Sequence, residues 1–172
     1  MIDIFLERYL EKAKDNGIDP SFRHDLAVHG QHPEAIVICC SDSRVSPEII
    51  FNASLGEFFV IRTAGNTLGE NEFRSIEYAY HHLHVKNCIV LAHTNCGAIC
   101  CALEDESDEN ELLCHIHRHI KNEKNPCKAS IINALEVQKE IQQRLCADDM
   151  RVYALLYDID TGHIDELHYT EE

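Results

Sequence analysis

Two short stretches of this chain gather side chains that do chemistry. The first, "CCSDSR" at 39–44, ends an apolar run on two thiols and follows them with an aspartate and an arginine. The second, "HTNCG" at 93–97, sets a histidine and a cysteine three residues apart. Thiolate sulfur and imidazole nitrogen are the soft and borderline donors that suit Zn2+. If the two stretches meet, Cys40 or Cys39 joins His93 and Cys96 in a three-ligand set. Three protein ligands leave a fourth tetrahedral position open, which marks a catalytic rather than a structural zinc. Asp42 and Arg44 then have a task. A guanidinium can grip a carboxylate with two parallel hydrogen bonds, keeping it ionised and off the metal, where it orients water instead of replacing it.

Such a set needs rigid elements to bring it together. The runs "AIVICC" (35–40), "EFFVIRTAG" (57–65), "NCIVLAH" (87–93) and "RVYALLYDI" (151–159) read as strands, being short, β-branched or aromatic, and bounded by turn or polar residues. Three of them are apolar in succession, which predicts burial on both faces. Helical patterns at 46–54, 71–85, 96–104 and 130–146 alternate with them. The alternation predicts an α/β fold: one domain over 1–172, with a mostly parallel central sheet flanked by helices. The segment "DIDTGHIDELHY" after the last run predicts a C-terminal edge strand or hairpin. Sites in open α/β sheets lie at the C-terminal ends of strands, where both chemically loaded stretches fall.

Composition narrows the partners. Thirty acidic against fifteen basic side chains give a net charge of −15, which argues against a nucleic-acid or anionic-membrane surface. No run approaches the length of a membrane span, and the first residues alternate charge with apolar groups at helical spacing. The expectation is a cytoplasmic chain without a signal peptide. Nine cysteines, an odd number, fit reduced thiols and a metal site better than a disulfide framework. Cys39, Cys88, Cys100 and Cys101 are expected as small core residues, and Cys114, Cys127 and Cys146 as free thiols. In "LLCHIHRHI" (112–120), His115 and His119 stand one helical turn apart, read here as part of a histidine-rich amphipathic helix rather than a second metal site. The acidic run at 104–111 reads as a solvated loop.

The stretches "CSDSRV" (40–45), "FFVIRTAGN" (58–66), "IEYA" (76–79) and "HTNCG" (93–97) together resemble β-class carbonic anhydrases. The similarity runs in order from "GQHP" (30–33) to "YDIDTG" (157–162). The resemblance implies reversible hydration of carbon dioxide to bicarbonate by zinc-bound hydroxide. One Zn2+ per chain would be held by Cys40, His93 and Cys96, with Asp42 and Arg44 as the catalytic dyad. It also implies a small substrate pocket around Gln31, Phe59, Ala64, Tyr78 and Gly97. The expected assembly is a homodimer or dimer-based tetramer, with residues 1–30 as a helical arm on a partner subunit. Thr63 stands where the family usually has asparagine, and Ala92 where it usually has glycine; neither change removes a ligand or the dyad. Two thiolates should leave zinc a weaker Lewis acid than imidazoles do, so activity is expected to rise into the mildly alkaline range. Two alternatives stay open: a hydrolase of carbonyl sulfide or carbon disulfide on the same scaffold, and a non-catalytic zinc-binding or thiol-sensing protein.

Overall fold

The computed structural model describes residues 4, 6–8, 17–104 and 110–169. Most of the amphipathic segment 1–14 and of the acidic run 104–111 lies outside the described residues. The chain divides into two compact units, residues 1–31 and 32–172. In the first, helix α1 (Pro20–His29) starts on the side chain of Asp19, which accepts from the Ser21 backbone N–H. None of its residues is buried, and Phe22 and Val28 are exposed.

The larger unit is built on five strands: β1 (Ala35–Cys40), β2 (Phe58–Thr63), β3 (Asn87–His93), β4 (Arg151–Tyr157) and β5 (Ile164–Leu167). Their order is β2-β1-β3-β4-β5, with the first four parallel and β5 antiparallel to β4. The expected C-terminal edge strand is therefore present, in hairpin connection to β4. The expectation of two-sided burial holds most fully for β1, a continuous apolar run whose six residues are all buried. β2 is half-buried along most of its length, because it forms one edge of the sheet.

Helices cover the sheet. They are α2 (Pro47–Ile50), α3 (Glu70–His82), α4 (Gly97–Glu104), α5 (Glu111–Ile120) and α6 (Pro126–Leu145). α3 buries Phe73, Ile76 and Ala79 at three-residue spacing, the narrow apolar stripe of a helix lying on a sheet. α6 begins four residues before the sequence pattern indicates. Pro126 at its first position needs no N–H partner, and Asn125 caps it by accepting from the Lys128 N–H. α2 is a single turn rather than the longer helix the pattern suggests, and Asn52 beyond it takes a left-handed conformation (φ 50°).

The pleat sorts β1 between two cores. Ile36 and Ile38 face a cluster with Phe73, Ile76, Val137 and Ile141, whereas Val37 and Cys39 face one with Val45 and Leu91 on the opposite side. Cys101, expected in the core, is exposed, because the apolar stripe of α4 falls on Ile99 and Ala102. Cys39 and Cys88 are buried, Cys100 is half-buried, and Cys114, Cys127 and Cys146 are exposed and in no disulfide. No described helix is long and apolar enough to cross a membrane.

Candidate metal centre

From β1 the chain moves to β2 on one side, then returns to lay β3 on the other. That reversal opens a crevice beyond the C-terminal ends of β1 and β3. Cys40 ends β1 and His93 ends β3, so both point into it, and the turn entering α4 adds Cys96. The ligand atoms of the three lie within 4.8 Å of one another, all buried, with the two sulfurs 3.9 Å apart. Cys39, one residue away, faces the opposite core and takes no part.

Each donor is held by its surroundings. His93 Nδ1 sits 2.8 Å from the Thr94 carbonyl and donates to it, which leaves the lone pair on Nε2. That Nε2 is buried and has no hydrogen-bond partner, although it faces both sulfurs. The backbone N–H groups of Asp42 (3.4 Å) and Gly65 (3.3 Å) donate to Cys40 Sγ. The Cys40 thiol is pulled down from its ordinary range, chiefly by the Cys96 S–H, with the Gly65 and Asp42 amides adding to it against burial. Cys96 moves up, because the Cys40 thiolate holds its proton and burial opposes a second charge. A divalent cation would replace that shared proton. The donor set fits zinc: two thiols, one imidazole with a free lone pair, and no protein group satisfying it.

Asp42 and Arg44 stand at the rim. Arg44 Nε and one terminal nitrogen donate to the two carboxylate oxygens at 2.9 and 2.7 Å, and the Arg44 backbone N–H adds a third bond at 2.9 Å. The Arg44 guanidinium holds the Asp42 carboxyl well below the usual carboxylate range, although partial burial works against it. Asp42 Oδ2 comes within 4.0 Å of His93 Nε2, so an ionised acceptor faces the donor set without belonging to it.

Three supporting residues escape a reading of the sequence. Arg62 fastens the loop after β1, donating to the carbonyls of Cys40, Asp42 and Val45. Its only signal was a cation in an apolar strand. Gly65 takes φ +67°, and a Cβ there would lie 2.7 Å from Ile116 Cδ1 and 3.3 Å from Ala98 Cβ. Only glycine turns the chain there so that its N–H meets Cys40. Asn133, fully buried on α6, donates to the Gly65 carbonyl at 2.9 Å and accepts from His119 Nδ1 at 3.0 Å. Nothing in the sequence near residue 133 signals that role.

The remaining residues named from the sequence are placed differently. Ala64 opens the short 3-10 turn that carries Gly65, and Gly97 opens α4 with open space where a Cβ would stand. Phe59 and Tyr78 face each other, with ring centroids 6.2 Å apart. Phe59 precedes Thr63, the partner of Cys40 in the β1–β2 register, by four positions, or about 13 Å of strand. Phe59 thus sits well down β2 from the end that meets Cys40. Gln31 closes the N-terminal unit and is exposed.

Comparison with known proteins agrees with this architecture. The carbonic anhydrase family model matches residues 35–146. A carbonic anhydrase 2 of Mycobacterium tuberculosis is 47% identical over 79 residues, covering 46% of this chain and 38% of that protein. The chain thus spans well under half the length of that relative. Among solved structures, the β-carbonic anhydrase CcaA superposes with a TM-score of 0.81 at 26% identity, covering 98% of this chain and all of that one. A structure described as one of two tetrameric β-carbonic anhydrases from Sordaria macrospora gives 0.71 at 26% identity, covering 99% and 96%.

Proposed function

This chain belongs to the β-class carbonic anhydrase family, and from that premise we propose that it catalyses the reversible hydration of carbon dioxide to bicarbonate and a proton. One observation carries the reading: a buried imidazole nitrogen with no hydrogen-bond partner converges with two thiols, beside a carboxylate locked by arginine. Cys40, His93 and Cys96 would hold one Zn2+ per chain. When bound, zinc supplies the Lewis acidity that makes a nucleophile available from water near neutral pH.

The chain's own residues do the rest. The Gly65 and Asp42 amides stabilise negative charge on Cys40, and the Thr94 carbonyl fixes the His93 tautomer. Asp42 stays ionised because Arg44 occupies both of its oxygens. It therefore accepts a hydrogen bond from the attacking O–H and turns the oxygen lone pair toward the carbon of the substrate. Arg44 also donates to the Asn95 carbonyl at 3.2 Å, tying the dyad to the turn that carries Cys96. Gly97 follows Cys96 directly, and Ala64 precedes Gly65, whose N–H meets Cys40; both are small enough to suit a small substrate.

Phe59, Tyr78 and Gln31 would complete the pocket through assembly, as a homodimer or dimer-based tetramer. The half-buried edge strand β2 and the exposed Tyr78 supply an apolar surface for that purpose, and α1 would act as an arm on the partner. The test is stopped-flow hydration of carbon dioxide with zinc-quantified protein at about pH 8.5, on the alkaline side that two thiolate ligands call for. Turnover proportional to zinc content is expected. Bound zinc without turnover would overturn the proposal and direct attention to carbonyl sulfide.

A further inference from the structure

The described residues contain a second convergence of metal-binding side chains. His115 and His119, four residues apart on α5, present their rings on one face, with centroids 4.7 Å apart. Glu140 of α6 completes the group, and the three ligand atoms lie within 4.8 Å of one another. We propose that His115, His119 and Glu140 form a second site for a divalent transition-metal ion, Zn2+ in the first instance, separate from the cysteine centre.

Four observations carry the assignment. First, the His119 tautomer is fixed. Asn133 donates its amide nitrogen to the Gly65 carbonyl, so its oxygen is the atom facing His119 Nδ1, and that nitrogen must carry the proton. His119 Nε2 is thereby left with a lone pair, the arrangement in which a ligating histidine donates its other N–H to a structural acceptor. Second, His115 Nε2 is buried and has no hydrogen bond, with Glu140 Oε2 at 3.6 Å. Donors about 2.0–2.1 Å from a tetrahedral zinc stand roughly 3.3–3.4 Å from each other, so this pair needs almost no movement.

Third, Arg144 donates to Glu140 Oε1 at 3.0 Å, holding the carboxylate while Oε2 stays turned toward the histidines. Fourth, His115 lines a cavity of about 490 Å³, shared with Thr63, Thr67, Glu70 and Glu72, so open space lies beside the group. Two imidazoles and one carboxylate form a nitrogen–oxygen set for which zinc and its neighbours compete well.

One contact opposes the ion. An Arg118 terminal nitrogen lies 3.3 Å from His115 Nδ1, and a guanidinium only donates. Ligation through Nε2 shifts the His115 proton to Nδ1, so the exposed Arg118 side chain must swing away. The site therefore makes an unusual demand: removing Arg118 should improve it.

The test is calorimetric titration of Zn2+ into protein already carrying one zinc. A second event with one ion per chain is expected. His115→Ala should weaken it by more than about 100-fold, beyond the loss typical of a supporting partner, and Glu140→Gln should act in the same direction. Arg118→Ala should tighten it by up to about fivefold, the gain from removing one exposed positive charge. No second event, a second event that His115→Ala leaves intact, or weaker binding in Arg118→Ala would each overturn the assignment. Cobalt substitution separates the two centres, since only the cysteine site gives thiolate charge-transfer absorption. Failure of the anhydrase reading would thus be distinguishable from failure of this one.

Discussion

Replacing Gly65 by alanine tests how the cysteine centre is built. The residue sits at φ +67°, a left-handed conformation that costs a residue with a Cβ about 1–2 kcal/mol. The new methyl would also meet Ile116 Cδ1 at 2.7 Å and Ala98 Cβ at 3.3 Å. Ile116 is fully buried, so its side chain has little room to yield, and overpacking of this kind adds about 1–3 kcal/mol. The expected total is about 2–5 kcal/mol, a large share of the roughly 5–15 kcal/mol typical of a domain. With a urea m-value of about 2 kcal/mol/M, the unfolding midpoint should fall by about 1–2.5 M.

The same substitution pulls the amide away from Cys40 Sγ and the carbonyl away from Asn133. Zinc affinity should therefore fall by about 10- to 100-fold, the usual loss when a partner of a metal ligand is removed. Gly97→Ala provides the comparison, because a Cβ there meets nothing within 4 Å, and its midpoint should move little. Urea unfolding and chelator competition read the two effects separately. A Gly65→Ala midpoint equal to that of Gly97→Ala would refute the steric argument. A fallen midpoint with unchanged zinc affinity would refute the role of the amide at Cys40.

Other perturbations probe the rest of the site. Asp42→Asn should retain zinc by elemental analysis and lower carbon dioxide hydration by about 10- to 100-fold in stopped flow; full activity would show that the carboxylate orients nothing. Asn133→Leu should destabilise by about 2–4 kcal/mol in thermal or urea unfolding, because it strands the buried Gly65 carbonyl and the His119 N–H. Glu140 has its pKa lowered below 4.5, first by His115 and then by Arg144, against partial burial. A depressed carboxylate stabilises the fold above its unfolded pKa and loses that contribution as pH falls through the folded value. The stability gap between metal-free wild type and Glu140→Gln should thus be full at neutral pH and shrink below about pH 4.5, as urea midpoints at several pH values would show.

The sequence by itself determined the strands, the parallel sheet they form and the chemistry of the donors. Apolar runs with strand or helix periodicity are local properties, and the stretches 39–44 and 93–97 carry their thiols, imidazole and charges in consecutive residues. Even the Asp42–Arg44 pair is local, since two residues in one turn reach each other whatever the rest of the chain does. Tertiary structure decided what depends on facing and on distance. The pleat of β1 turned Cys40 toward His93 and Cys39 away from it, a choice that two adjacent cysteines do not announce. The register of β2 on β1 placed Phe59 four positions from the partner of Cys40, and the apolar stripe of α4 left Cys101 on the surface. Packing of α6 against the turn after β2 brought Asn133 to Gly65 across 68 residues of chain, and packing against α5 brought Glu140 to the two histidines. Such contacts arise because burying one apolar stripe fixes where every other face of the same helix points, and no window of the sequence contains both partners.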